Sequence, residues 1–148
     1  GDKNYEDFFR GLQHRYPDKV ISYIAFEPEI ARKIYAASDM FLMPSKSEPC
    51  GLVQMIALRY GTIPIVRETG GLVDTVEAYN EYEHTGTGFS FANYNAHEML
   101  GVIRYAISVY QKNRNEWNQI ALRGMKKDFS WNTSARKYEA LYDKLTEY

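Results

Sequence analysis

The sequence predicts an α/β fold, a parallel sheet flanked by helices, and three observations predict it. Short apolar runs alternate with stretches whose apolar residues recur at helical spacing. Two of the runs, at 40–43 and 63–66, are apolar at nearly every position, the pattern of strands buried on both faces. Strand alternating with helix is the order that gives parallel strands covered by helices.

The elements follow in order. Tyr5, Phe8, Phe9 and Leu12 share helical spacing over residues 5–16, and Pro17 ends that helix. Residues 20–25, Val-Ile-Ser-Tyr-Ile-Ala, form a short β-prone run. Ile30, Ile34 and Ala37 share one face of a helix over 28–37. Met40-Phe41-Leu42-Met43 is a buried strand stopped by Pro44. Residues 51–60 read as a helix ending at Gly61, and Ile63, Ile65 and Val66 mark the next buried strand. Residues 71–79 restart a helix, and Gly88-Phe89-Ser90-Phe91 is the last short strand. From about 95 to 148 the chain reads as a helical tail, broken near Asn113–Asn115 and Phe129–Asn132, with Asn95 and Asn132 as N-caps. No repeat, low-complexity tract or linker interrupts these elements, so 1–148 reads as a single domain.

Composition narrows the function classes. At 148 residues the chain can bury one core, and 45% hydrophobic with 25% charged residues is ordinary for a soluble globular protein. Lys+Arg of 18 against Asp+Glu of 19 gives no bulk reason to expect nucleic acid or an anionic membrane as partner. Cys50 is the single cysteine, which excludes an intramolecular disulfide and a thiolate-cluster metal site and fits a reducing cytoplasm. No apolar run reaches membrane-span length, and the charged start Asp2-Lys3-Asn4 does not read as a signal peptide.

The chemistry is expected where strands run into helices, because ligands of open α/β sheets bind beyond the carboxyl ends of the strands. One junction is Met43-Pro44-Ser45-Lys46-Ser47-Glu48-Pro49-Cys50-Gly51-Leu52, the other Ile65-Val66-Arg67-Glu68-Thr69-Gly70-Gly71-Leu72. Glycine lets backbone approach a ligand, and the first N–H groups of a helix lack internal partners. With the helix dipole, those groups favour a phosphate, by about 0.3–1 kcal/mol per charge at an exposed site. Two such helix starts could hold a diphosphate, with Glu48 accepting from sugar hydroxyls. Each signal alone has a blander reading: a Gly-Gly pair as a plain turn, a Glu as a solvated cap, Cys50 as a small packing residue with no His nearby to activate it. His14, His84 and His97 show no partner pattern and receive no role. Spacing alone supports a phosphate-binding α/β domain and nothing finer.

Four longer segments carry a resemblance. They are Ser38-Asp39-Met40-Phe41-Leu42-Met43-Pro44-Ser45, Glu48-Pro49-Cys50-Gly51-Leu52-Val53-Gln54, Arg59-Tyr60-Gly61-Thr62-Ile63-Pro64-Ile65-Val66-Arg67 and Thr69-Gly70-Gly71-Leu72-Val73-Asp74-Thr75-Val76. Together they resemble the signature of bacterial glycogen (starch) synthases, and Gly88-Phe89-Ser90-Phe91 and Phe129-Ser130-Trp131 fit the same family's C-terminal end. Related sucrose- or lipid-directed transferases usually carry Glu-Gly-Phe-Gly where this chain has Glu-Pro-Cys-Gly.

The resemblance implies a Rossmann-like sheet, part of the C-terminal domain of a GT-B glycosyltransferase. It implies retaining transfer of glucose from ADP-glucose to the non-reducing end of an α-1,4-glucan in the cytoplasm, with no cofactor and no metal. Glu48 matches the acidic residue beside the donor glucose, where it orients the sugar and stabilises an oxocarbenium-like transition state. Cys50, Gly51 and Leu52 match the segment whose amides meet glucose and diphosphate, with Ser45 in the same loop. Thr69, Gly70 and Gly71 match the second phosphate-side loop, and Phe26 falls where the family places an aromatic ring against adenine. Arg67 and Lys46 lie near enough in sequence to contribute charge but are given no role. The chain departs from many relatives at Ser47, which stands for an aromatic residue and is expected to loosen packing under the loop. Ile56 replaces a second Glu of other GT-B enzymes, as in the synthase branch.

The resemblance also implies parts that precede Gly1: a Lys-x-Gly-Gly-Leu motif in an N-terminal domain and an Arg–Lys pair for the leaving diphosphate. Gly1-Asp2 resembles the end of a Gly-x-Gly-Asp turn. The chain alone is therefore expected to make no α-glucan. The strand at 20–25 is expected either to pair directly with 40–43 or to find strands from another copy, giving a strand-paired or swapped oligomer. Two rival readings stay open: a UDP-sugar-dependent GT-B transferase, and a non-catalytic α/β binding module.

Overall fold

The computed structural model describes residues 2–146. Gly1, read as the end of a turn, and the last two residues of the helical tail lie outside the described residues. The chain divides into two compact units after Arg32.

In the first unit, α1 (Lys3–Arg15) is capped by Asp2, whose carboxylate accepts from the Asn4 N–H at 2.8 Å. Residues 20–25 are not a strand. A β-prone run becomes a strand only when a neighbour completes its ladder, and no described strand does so here. Instead the Ser22 N–H donates to the Gln13 side chain at 2.6 Å. The expected pairing of 20–25 with 40–43 is absent for the same reason. α2 (Pro28–Ala37) follows, running across the division at Arg32 and opening on a proline suited to the first helical position.

The second unit is built on β1 (Met40–Met43), β2 (Ile63–Arg67) and β3 (Phe89–Phe91), parallel and in the order β1-β2-β3. Met43 pairs with Val66, and Arg67 with Phe91. Five helices connect and follow the strands: α3 (Val53–Tyr60), α4 (Gly71–Thr75), α5 (Ala96–Lys112), α6 (Arg114–Lys126) and α7 (Trp131–Thr146). Side chains alternate across β2. Ile63 and Ile65 join Phe89 against Ala106 and Val109 of α5 and Trp117 and Ile120 of α6. Val66 meets Leu58, Leu72 and Val76 on the opposite face. Phe89 stacks on Trp117 with ring centroids 6.1 Å apart. α3 and α6 approach closely: a Cβ on Gly124 would lie 2.7 Å from a Leu58 methyl.

Three further expectations are corrected. β1 is not buried on both faces; it is an edge strand beside β2, and Leu42 stays 44% exposed, because α5 and α6 pack over β2 and β3 instead. The helix expected over 71–79 stops at Thr75, and Val76 turns extended to enter the core. Leu72 and Val76 satisfy helical spacing, but Glu77 and Tyr79 donate N–H groups to Thr87 Oγ1 (3.1 Å) and Gly88 O (2.8 Å), so ladder bonds replace the helix. Asn132 is not an N-cap but lies inside α7. The preceding turn is organised by Asp128, which accepts from the Ser130 N–H at 2.8 Å and the Thr133 hydroxyl at 2.6 Å. The Thr133 hydroxyl first, then Ser130, pull the Asp128 carboxyl down to about 2. Asn95 does cap α5, accepting from His97 and Glu98 N–H groups. The loop before β3 is tied to α6 by Glu116, 9% exposed, which accepts from Arg123 at 3.0 Å and faces His84 Nδ1 at 3.0 Å. His84 thus has a partner that its sequence neighbourhood did not reveal.

Candidate functional site

Because the strands are parallel, Met43, Arg67 and Phe91 end on one edge of the sheet. That edge is where a ligand is expected, and the two strand–helix loops meet there.

The first loop, 44–52, leads from β1 into α3. Its glutamate, Glu48, is half-buried. Cys50 is exposed and packs no core, unlike the small packing residue read from sequence, because the loop turns outward before α3 begins. Leu52 precedes the helix with no side-chain cap and is 65% exposed. Among the described residues no protein acceptor takes the N–H groups of Gly51, Leu52 or Val53. This helix start therefore presents unpaired donors together with the positive end of its dipole. The loop is held from beneath by Gln54, fully buried. Its Nε2 donates to Gly51 O at 2.8 Å, Cys50 O at 3.3 Å and Thr75 Oγ1 at 3.0 Å.

The second loop, 68–70, is built differently. Gly70 has φ 48 and ψ −134, and a Cβ there would stand 1.9 Å from Glu48 O. A Cβ on Gly71 would stand 2.0 Å from Cys50 O. The pair of glycines is required because the backbone of the first loop occupies the space where their side chains would be. The Gly71 N–H donates to Glu48 O at 3.2 Å, and those of Leu72 and Val73 donate to Thr69 O at 3.2 Å and Gly70 O at 3.1 Å. The expectation of unpaired donors at this helix start is thus not met at its first three residues. The amides of Thr69 and Gly70 have no acceptor among the described residues.

Sequence reasoning missed two residues here. Arg67 donates from Nε to Ser45 O at 2.8 Å and from Nη2 to Lys46 O at 2.5 Å, tying the first loop to the end of β2. Gln54 ties the first loop to α4. A polar residue beside Ala57 and Leu58 in an apolar helix was the available signal for Gln54. Ser45 is half-buried and enters through its carbonyl; Lys46 is exposed. Phe26 belongs to the first unit and is 94% exposed, so its ring is uncovered. Among the described residues, no group of three or more His, Cys, Asp or Glu side chains is placed to hold a metal, and no helix is long and apolar enough to cross a membrane.

Residues 1–123 match the family described as "Glycosyl transferases group 1". The chain is 63% identical over 98% of its length to a glycogen synthase of Lachnospira eligens, of which it covers 30%. Among solved structures it is similar to the catalytic domain of starch synthase IV from Arabidopsis thaliana, bound to ADP and acarbose. That match has a TM-score of 0.80 and 36% identity, covering 93% of this chain and 29% of that one. A sucrose-phosphate synthase from Thermosynechococcus elongatus shares the fold at a TM-score of 0.66 and 24% identity, covering 98% of this chain and 35% of that one. The chain spans about 30% of the length of the curated relatives it matches.

Proposed function

From the premise that the chain belongs to the group 1 glycosyl transferases, we propose that it forms the donor side of a glycogen or starch synthase. Such an enzyme moves glucose from ADP-glucose to the non-reducing end of an α-1,4-glucan with retention. Its parallel sheet with flanking helices matches a GT-B glycosyltransferase fragment. The observation that carries the reading is the convergence of the Glu48 loop and the Gly70-Gly71 turn at the carboxyl edge of that sheet.

In the reaction, the bond from glucose C1 to the phosphate oxygen breaks and ADP leaves with the electron pair. An acceptor hydroxyl oxygen forms the new bond to C1 and passes its proton to the departing phosphate oxygen. Positive charge grows at the sugar and negative charge at the diphosphate. The Glu48 carboxylate lies on the sugar side, where it opposes the first charge. The unpaired amides of Gly51, Leu52 and Val53 oppose the second, joined by Thr69 and Gly70. One such preorganised donor contributes about 2.7–4 kcal/mol of barrier reduction. Gly71 serves by holding the Glu48 carbonyl. We place the reaction in the cytoplasm.

The test is a titration with ADP, ADP-glucose and UDP-glucose, followed by backbone amide shifts. Selective shifts at Gly51, Leu52, Thr69 and Gly70 with an adenine preference are expected. No shift at saturating ADP, or a preference for UDP-glucose, overturns the reading. In an intact enzyme carrying these residues, Glu48→Gln is expected to lower kcat by about 100- to 1000-fold with unchanged thermal stability.

A further inference from the structure

Arg67 is the last residue of β2, the central strand, and its guanidinium reaches both neighbouring strand ends. Towards β1, Nε donates to Ser45 O at 2.8 Å and Nη2 to Lys46 O at 2.5 Å. Towards β3, Nη1 lies 3.4 Å from Ala92 O. The Ala92 peptide is itself fixed, because Glu98 accepts its N–H at 3.1 Å and that of Asn93 at 3.0 Å. The Tyr94 ring closes over the guanidinium at 5.9 Å. One rigid, planar group thus ties the ends of all three strands at the edge where the two loops meet. A planar fork with fixed donors suits this task, whereas an ammonium on a flexible stem does not reproduce it.

The consequence falls on Glu48. Its loop leaves β1 through Ser45 and Lys46, whose carbonyls are the two that Arg67 holds. Farther along, among the described residues, the Gly71 N–H donates to Glu48 O at 3.2 Å and the Gln54 side chain to Cys50 O and Gly51 O. The first of these holds the carbonyl side of Glu48, and the others fix the amide end of the loop. The segment that leads from β1 into Glu48 is fixed by Arg67. We propose that Arg67 is a positioning residue for glycosyl transfer, acting through the Ser45 and Lys46 carbonyls to aim the Glu48 carboxylate rather than by meeting the phosphate itself. The proposal rests on the functional reading above.

The experiment uses an intact enzyme carrying these residues, with Arg67→Lys and Arg67→Ala. Both variants are expected to lose about 100-fold in kcat, the scale of a small displacement of a reacting group, while ADP affinity changes by at least about tenfold less. Backbone amide order parameters from NMR relaxation are expected to fall over 46–48 and to stay unchanged in α5 and α6. Guanidinium added to Arg67→Ala is expected to restore part of kcat, which a general loss of folding would not allow. The proposal is overturned if Arg67→Lys keeps both kcat and the order of 46–48. It is also overturned if Arg67→Ala loses ADP affinity while the order of 46–48 is unchanged, since Arg67 would then act as a phosphate cation. If the unsubstituted enzyme transfers no glucose from ADP-glucose, the functional reading fails, and the order parameters still decide whether Arg67 orders the loop.

Discussion

The two strand–helix junctions look alike in sequence and differ in structure. Both leave an apolar strand, pass through glycine and enter a helix. At the start of α3 the first amides have no protein acceptor among the described residues. At the start of α4 the amides of Gly71, Leu72 and Val73 are already used, one of them on the other loop. Glycine also does different work in each. In the first loop it leads into an open helix start. In the second it clears space for the Glu48 and Cys50 carbonyls. A glycine-rich junction is therefore not by itself an anion cradle; one of a pair can be the frame on which the other is mounted. Arg67 and Gln54 belong to the same frame.

The comparison can be broken most sharply at Gly71. An alanine there would place Cβ 2.0 Å from Cys50 O, a backbone atom that cannot swing aside. Gly71→Ala is expected to cost at least about 100-fold in kcat of an intact enzyme by displacing the first loop. If activity survives, the frame reading of the second loop fails. Gly70→Ala meets the Glu48 carbonyl, 1.9 Å from the Cβ position, and adds backbone strain of about 1–3 kcal/mol, so a loss of at least that size in unfolding free energy is expected by denaturant titration. Gln54→Leu tests the tie beneath the loops. It removes three donated bonds but also a buried Oε1 without a partner. The net loss is expected to be only about 1–2 kcal/mol, read by denaturant titration.

The smallest effect lies outside both loops, at Asp128. Its carboxyl is held at about 2, below its ordinary 3.8, so folding favours the ionised form. That contribution is present above pH 3.8 and is lost as pH falls through about 2. Asp128→Asn is expected to be less stable than the parent near neutral pH, with the difference shrinking below pH 3.8, as read by thermal melting at several pH values. A difference that grows on acidification would reverse the sign and remove Asp128 as the organiser of the α7 start.

Where local pattern and tertiary demand agree, the sequence was a sufficient guide. The apolar run of β2, the Asn95 cap and the stop of α3 at Gly61 all stand in the structure. The failures share one cause. Residues 20–25 have strand composition but no partner strand among the described residues, and the helix pattern after Gly71 yields to ladder bonds from Thr87 and Gly88. The candidate site divides in the same way. Glu48, Gly51 and Gly70 could be picked out from strand–loop–helix grammar. Arg67 reaches carbonyls 21 and 22 residues earlier, and Gln54 reaches a hydroxyl 21 residues later, so their partners are not local; only the polarity of Gln54 in an apolar helix hints at its role.

The close seat of α3 on α6 gives the amide end of the site a remote point of control. Leu58 lies against Gly124 with no room for a methyl group, and Leu58 is one turn and a half along the helix from the Gly51–Val53 amides. A helix moves as a stiff rod over that length. Widening the gap at position 124 would therefore tilt or lift the amides without touching the Glu48 side chain. The spacing between two helix axes becomes an adjustable dimension of the site, and a graded series of side chains at Gly124 would tune where those amides sit.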